Sequence, residues 1–183
     1  NNTSVAKEKS GLVPFALPYY MPETSFGLGF FVLYYNNPNA HIKNSKQNEI
    51  TLYGTVTLNK QISIGVATER YFNNEKFKLT GAIEGSYFPD IFWGIGPNTK
   101  DEADEKFTSM LFNIRGNFMY AVKRNFYIGP AYQFIHDTME KREKNGLFYN
   151  ANISGSDGTI VSGIGININW DTRNSSFFPT KGF

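Results

Sequence analysis

The chain has 183 residues, enough for one ordinary domain, and its 18 Lys and Arg against 16 Asp and Glu leave a net charge of only +2, too near balance to imply nucleic acid or an acidic partner. It has no cysteine, which excludes disulfides and thiolate metal sites. No stretch approaches the roughly 18 to 20 consecutive apolar residues of a membrane helix, which excludes a helical membrane protein but not a barrel whose strands alternate apolar and polar residues.

The start, Asn1 to Ser10, is polar and lacks the apolar core of a signal peptide. Residues 1–12 are expected to be a polar lead-in and 13–183 the β-domain. A short first strand is predicted over Val13–Tyr20. Next, Phe26, Leu28, Phe30, Val32 and Tyr34 lie opposite Gly27 and Gly29, although Phe31 and Leu33 blur the contrast. The third segment sets Ile50, Leu52, Val56 and Leu58 against Thr51, Tyr53, Thr55 and Thr57, and the fourth sets Ile62, Ile64 and Val66 against Gln61, Ser63 and Gly65. In the fifth, Phe77, Leu79, Ile83 and Tyr87 oppose Lys76, Lys78, Thr80, Glu84 and Ser86. Met110, Phe112, Ile114, Phe118 and Tyr120 then alternate with Ser109, Asn113, Arg115 and Asn117. A seventh run opposes Phe126, Ile128, Tyr132 and Phe134 to Tyr127, Gly129, Ala131 and Gln133. The last run is the clearest: Ile160, Ile164, Ile166, Ile168 and Trp170 against Gly163, Gly165, Asn167, Asn169 and Asp171.

Strict alternation of this kind means two faces in different surroundings. Runs of about 10 to 12 residues, tilted by about 45°, match the apolar height of a bilayer, whereas soluble strands average about five or six. The second faces hold Gly, Ser, Thr, Asn and Tyr, as a wet or packed lumen would. With 17 Phe, 11 Tyr and 2 Trp, the chain also has rings enough for the aromatic girdles of a membrane barrel. The expected fold is therefore an all-β, antiparallel transmembrane barrel with about eight strands in this chain.

Tight turns are predicted at Asn59-Lys60, Phe72–Glu75 and Lys123–Asn125, and long polar connections near Asn36–Asn48, Phe88–Lys106 and Asp137–Gly158. With a first strand at Val13–Tyr20, the last two long connections fall on one side and the 123–125 turn on the other. The Asn36–Asn48 connection does not fit a simple division into short and long sides.

The C-terminal stretch carries a motif. Gly163 and Gly165 on a strand lead to Asp171, Thr172 and Arg173, then to Pro179 and Gly182. This resembles the bacterial surface antigen family, the barrel domain of BamA- and TamA-type outer-membrane proteins, in which a glycine-bearing strand runs into Asp-x-Arg and a turn with Pro-x-x-Gly. The segment from Tyr20 through Pro22, Glu23 and Thr24 to Gly27 and Gly29 resembles the approach to the first strands in compact members. Phe92-Trp93-Gly94-Ile95-Gly96-Pro97-Asn98-Thr99 resembles one of their loops. In physical terms, Gly163 and Gly165 leave room for a close backbone or plug loop. Asp171 and Arg173 share a parity that allows a charge pair toward the lumen, and Pro179 and Gly182 stop the strand.

The resemblance implies a sixteen-stranded barrel in the bacterial outer membrane, acting in outer-membrane protein assembly or protein translocation. Its implied partners are outer-membrane lipid, lipopolysaccharide and unfolded or nascent outer-membrane proteins, with no nucleic acid. The family's periplasmic repeat domains and its Arg-Gly-Phe loop do not appear here. About eight strands are visible, so the chain is expected to be the N-terminal half of such a barrel, because open edges in hydrocarbon leave backbone groups unpaired. One alternative is a complete eight-stranded outer-membrane barrel with a structural or adhesion role. Another is a soluble lipid-binding barrel with the apolar parity turned inward.

No catalytic, cofactor or metal site is expected. His41 and His136 lack convergent partners, and His136 and Asp137 point to opposite strand faces. Phe92–Gly96 lacks the third glycine and helix of a dinucleotide fingerprint. The acidic run Asp101–Glu105 lacks the glycine turn and ligand spacing of a calcium loop, and Lys141–Lys144 is mixed in sign.

Overall fold

A computed structural model describes residues 10–39, 45–94, 104–140, 146, 148, 154–173 and 180–182. Eight strands form one antiparallel sheet in chain order: β1 (Ser10–Met21), β2 (Ser25–Asn36), β3 (Asn48–Thr57), β4 (Ile62–Phe72), β5 (Phe77–Phe92), β6 (Glu105–Lys123), β7 (Phe126–Glu140) and β8 (Thr159–Trp170). The strand count and the antiparallel all-β class agree with the alternation. Among the described residues no helix is long and apolar enough to cross a membrane, which says nothing about strands.

The sheet is open. Each strand pairs with its sequence neighbours, and β1 and β8 are paired on one side only. Closure of eight strands on themselves, one of the expectations above, is not what these strands do.

β1 begins at Ser10 rather than Val13, because Ser10, Gly11 and Leu12 continue the ladder to Asn36, Tyr35 and Tyr34. β5, β6 and β7 run to 16, 19 and 15 residues, longer than the 10 to 12 expected. Phe88–Phe92 and Glu105–Lys106, expected as loop, are strand, paired as Phe88↔Ser109 through Phe92↔Glu105. Their polar residues disguise the strand locally, whereas the pairing is set by a partner far along the chain.

Turns fall where predicted. Lys60, Asn73, Asn74, Glu75 and Asn125 all take positive φ there, the conformation tight hairpins demand. The start of β1, the connection after Asn36, the turns at 73–76 and 124–125 and the exit of β8 lie at one end, here the lower end. Turns 22–24 and 58–61 and the connections leaving Phe92 and Glu140 lie at the upper end. The long connections near 88–106 and 137–158 thus share a side, as expected, and the 37–47 connection lies opposite them.

The sheet is strongly curled. Neighbouring strands stand about 4.8 Å apart, so on a flat sheet β4 and β7 would be about 14 Å apart. Yet the rings of Tyr71 on β4 and Tyr127 on β7 meet at 6.0 Å. Likewise Lys78 on β5 reaches Asn169 on β8, with Nζ to Oδ1 at 3.2 Å.

Curling separates a convex from a concave face, and the parities sort between them. Leu52, Val56, Ile64, Val66, Ile83, Phe118, Ile164 and Ile166 are exposed on the convex face. The concave face buries Gln61, Lys78, Asn113, Met119, Tyr127 and Asp171. The distribution is the reverse of a soluble domain's, where apolar groups go inside and exposed contiguous apolar area is small. In β2 the blurring residues resolve: Phe31 and Leu33 share the concave parity, where Leu33 is buried and the Phe31 ring meets that of Phe15 at 5.2 Å.

Convex aromatics gather at the two ends. At the lower end Phe77 stacks on Phe118 and tilts against Tyr120, both at 5.6 Å, and Phe126 meets Trp170 edge-on at 6.3 Å. Lys123 Nζ lies over Phe126 and Trp170 at 5.5 and 5.2 Å. At the upper end Tyr20 and Phe26 pair at 5.0 Å. Between the two rows the convex residues are chiefly aliphatic.

Candidate functional site

The C-terminal motif leads into the lower end of the concave face. Asp171 follows β8 directly, and its N–H donates to the Asn125 carbonyl at 3.0 Å, so it holds the ladder register one residue past the strand. Its carboxylate is gripped by Arg173: Nε to Oδ1 at 2.8 Å, Nη2 to Oδ2 at 3.0 Å, and the Arg173 N–H to Oδ1 at 3.1 Å. Lys46, before β3, brings Nζ to 3.6 Å from Oδ2 and donates to the Asp171 carbonyl at 3.3 Å. The Arg173 hydrogen bonds outweigh partial burial and, helped by Lys46, hold the Asp171 carboxyl well below the ordinary carboxylate range. The same contact raises Arg173 above its already high value.

Gly182 has φ of 88°, and an added Cβ would strike the Thr172 carbonyl and the Arg173 nitrogen. Only glycine lets the chain cross back over Thr172 and Arg173 so closely. The structure therefore brings Asp171, Arg173 and Gly182 together. Pro179 lies outside the described residues. Gly163 and Gly165 sit apart on β8, and among the described residues nothing comes within 4 Å of where a Cβ would stand.

Sequence reasoning missed what surrounds this pair. Lys78 on β5 is 4% exposed, with Nζ at 3.0 Å from Glu69 Oε2 and 3.2 Å from Asn169 Oδ1. It also lies over the rings of Tyr71 and Tyr127, at 5.4 and 5.9 Å. Tyr71 donates its hydroxyl to Glu69, and Tyr127 donates to the Glu75 carbonyl at 3.1 Å. Glu75 Oε1 accepts the Lys46 N–H at 2.7 Å. The strands β4, β5, β7 and β8, the 73–76 turn and the connection before β3 are thus tied by one polar clasp that draws β8 over β4 and β5. A lysine on the polar parity was legible, but its partners depend on curvature that no local pattern records.

Above the clasp the concave face is a hydrogen-bonded polar lattice. Glu84 accepts from Tyr53 at 2.8 Å and Asn113 at 2.7 Å, with Arg115 Nη1 at 3.6 Å. Gln133 donates to Asn113 at 3.3 Å, Asn117 to Thr80 at 2.9 Å, and Asn167 to Asn117 at 3.2 Å. Among the described residues no buried side-chain nitrogen or oxygen lacks a partner. Buried polar groups are tolerated only when satisfied in this way.

At the upper end Gln61 Nε2 donates to the Pro89 carbonyl at 3.0 Å. Phe148 packs on Phe92 and Phe107 at 4.9 and 5.2 Å, and its N–H donates to Glu105 Oε2 at 2.9 Å. Of the residues weighed for catalysis or metal binding, His136 and Asp137 lie on β7, and Asp137 accepts from Ser109 Oγ at 2.6 Å. His41, Asp101–Ala103, Ile95–Thr99 and Lys141–Lys144 lie outside the described residues.

No family model, curated protein or solved structure matches this chain. What it does must be argued from its two faces.

Proposed function

We propose that this chain is a wall of a β-barrel in the bacterial outer membrane, with its convex face against lipid and its concave face lining a polar lumen. The observation that carries the reading is the inverted distribution of side chains: exposed aliphatics on the convex parity, buried and fully hydrogen-bonded polar groups on the concave one. In water such a sheet would expose a broad apolar surface, a hazard rather than a resting state. In a bilayer the same surface is solvated by acyl chains.

The aromatic rows support this. On β5 the convex residues Phe77 and Tyr87 are ten residues apart. At about 3.4 Å per residue and a tilt of about 40°, that spans about 26 Å of height, near the roughly 25 Å apolar band of outer-membrane barrels. Lys123 over Phe126 and Trp170 fits an interface, where rings and snorkelling cations meet head groups. A soluble lipid-binding barrel needs the opposite orientation. The Gly163 to Gly182 motif extends the reading to a surface-antigen-type barrel serving outer-membrane protein assembly or translocation. Its paired Asp171 and Arg173 at the strand exit support that extension.

The wall is tested with single-cysteine variants, which the cysteine-free chain allows without background. Spin labels at Ile64→Cys and Ile83→Cys, in vesicles of outer-membrane phospholipid, are expected to meet dissolved oxygen more than a water-soluble relaxer. Thr51→Cys and Ser63→Cys are expected to show the reverse. Equal access to the water-soluble reagent on both faces would sink the reading. The assembly role is tested separately, by whether such vesicles speed insertion of a second outer-membrane barrel; no acceleration leaves a wall without that role.

A further inference from the structure

Two groups of cations contrast. Lys46, Lys78, Arg115 and Arg173 each have a carboxylate oxygen at 2.8–3.6 Å and serve the concave face. Lys76, Lys123 and Arg124, exposed at the lower end, have no such partner among the described residues. Those three line a single cavity of about 560 Å³, walled by the 73–76 turn, the 124–125 turn and the connection before β3. Asn74 and Asn125 add amide donors to it. Among the described lining residues the one carboxylate is that of Glu75, and its Oε1 is turned to the Lys46 N–H at 2.7 Å. Three positive charges against one negative leave the cavity suited to an anion.

The walls are pinned. The Ala121 N–H donates to the Lys76 carbonyl at 2.8 Å, and the Tyr127 hydroxyl to the Glu75 carbonyl at 3.1 Å. The Asn125 carbonyl takes the Asp171 N–H at 3.0 Å. Asn37 Nδ2 donates to Ser45 Oγ at 2.9 Å and so fixes the connection before β3. Cations carried on a fixed backbone lose less freedom when an anion arrives, which separates a seat from a merely basic surface.

The kind of anion follows from where the cavity lies. Lys123 Nζ stands over Phe126 and Trp170 at 5.5 and 5.2 Å, so the cavity borders the lower aromatic row. Above that row Tyr120 and Ile168 are 52% and 63% exposed on the convex face. A small free anion would use the cations alone. A phospholipid uses both, with its phosphate among the cations and its acyl chains along the exposed side chains.

We propose that this cavity seats the head group of an anionic phospholipid. Lys76, Lys123 and Arg124 hold its phosphodiester, and its acyl chains rise over Tyr120 and Ile168. The long connections leaving Phe92 and Glu140 lie at the far end, and outer-membrane barrels carry their long loops outside, so the lipid belongs to the periplasmic leaflet. The proposal rests on the membrane-wall reading, since only a bilayer brings lipid to that height.

Trp170 is the reporter. The chain has two tryptophans, so Trp93→Phe leaves Trp170 alone. The 183-residue variant is refolded into phosphatidylcholine vesicles with a minor share of phosphatidylglycerol. One lipid or the other carries bromines on its acyl chains, which quench a tryptophan they touch. Phosphatidylglycerol is expected beside Trp170 at least about 10-fold more often than its share of the lipid. Lys76→Gln and Arg124→Gln should each lower that preference about 3- to 5-fold, the size of one cation at an anionic surface. Lys76→Arg should keep it. Arg70→Gln, at the same end on β4 but outside the cavity, should leave it unchanged. Circular dichroism checks that each variant keeps its strands; if one does not, the other decides. Equal quenching by the two lipids, or a loss through Arg70→Gln as large as through Lys76→Gln, overturns the proposal. So does displacement of phosphatidylglycerol by inorganic phosphate at constant ionic strength, which would mark a free-anion site. Absence of quenching by either brominated lipid overturns the wall reading and the proposal with it, and so stands apart from failure of the seat alone.

Discussion

Replacing Ile83 by lysine separates the membrane reading from its rivals by the size of the effect. Ile83 stands on the convex face of β5, 53% exposed, between Phe77 and Tyr87. It lies about 10 Å in height from Tyr87 and about 16 Å from Phe77, near the middle of the proposed band. A lysine at mid-bilayer on a barrel's lipid face costs about 2–4 kcal/mol, falling to about 0–1 kcal/mol near the interface. If the convex face met water instead, the loss would be limited to the half of the side chain already buried. At about 1.5–3 kcal/mol for a fully buried isoleucine, that is about 1 kcal/mol. The two settings therefore differ by a factor of two or more, and a second lysine at Phe77, in the lower aromatic row, should cost less than one at Ile83 in lipid. Urea unfolding of the chain in phospholipid vesicles, followed by Trp93 and Trp170 fluorescence, measures both. A loss of about 1 kcal/mol or less for Ile83→Lys, or a larger loss at Phe77 than at Ile83, would refute the reasoning.

Other consequences follow from the concave face. Lys78→Met leaves Glu69 and Asn169 without their cation; breaking a buried pair costs about 3–5 kcal/mol, and because Glu69 keeps some solvent the expected loss is about 2–3 kcal/mol by urea titration. Asp171 has a depressed pKa, so its stabilising contribution is complete above the ordinary carboxylate range and disappears only as pH falls through its lower folded value. Unfolding of the native chain should then be insensitive to this group between pH 5 and 7, on the order of the ordinary carboxylate limit, while Asp171→Asn loses stability there and loses little more in strong acid. Gly65→Val should displace the Tyr53 ring and cost about 1–3 kcal/mol, and adding Tyr53→Ala should make the double variant less than additive in a thermodynamic cycle.

Much of the sheet was legible because a period of two survives without knowledge of the partner strand. β8 is the clearest case, with isoleucine on one parity and Gly or Asn on the other. β2 was harder, since Phe31 and Leu33 are apolar on the polar side, against Phe15 and Val13 of a β1 that is apolar on both faces. The strand identity of Phe88–Phe92 was hidden for another reason: its pairing to Glu105–Ser109 is non-local, and Pro89 and Asp90 look like turn residues in isolation. At the motif, the Asp171–Arg173 pair was readable because two residues of like parity are close by construction. Lys46, Lys78 and Tyr127 were not readable, because their meeting requires the sheet to curl.

The clasp also bears on the order in which the molecule folds. Lys46 and Asp171 are separated by 125 residues, Lys78 and Asn169 by 91. Contacts of such long range are reached only after the intervening hairpins have formed, since closing large loops costs entropy before any contact repays it. The hairpins β1–β2 through β6–β7 can assemble by local pairing while the sheet is still shallow. The contacts of β8 then come late: until it delivers Asn169 and Asp171, Lys78 and Lys46 lack these distant partners. The lower end is therefore drawn tight only when β8 is in register with β7.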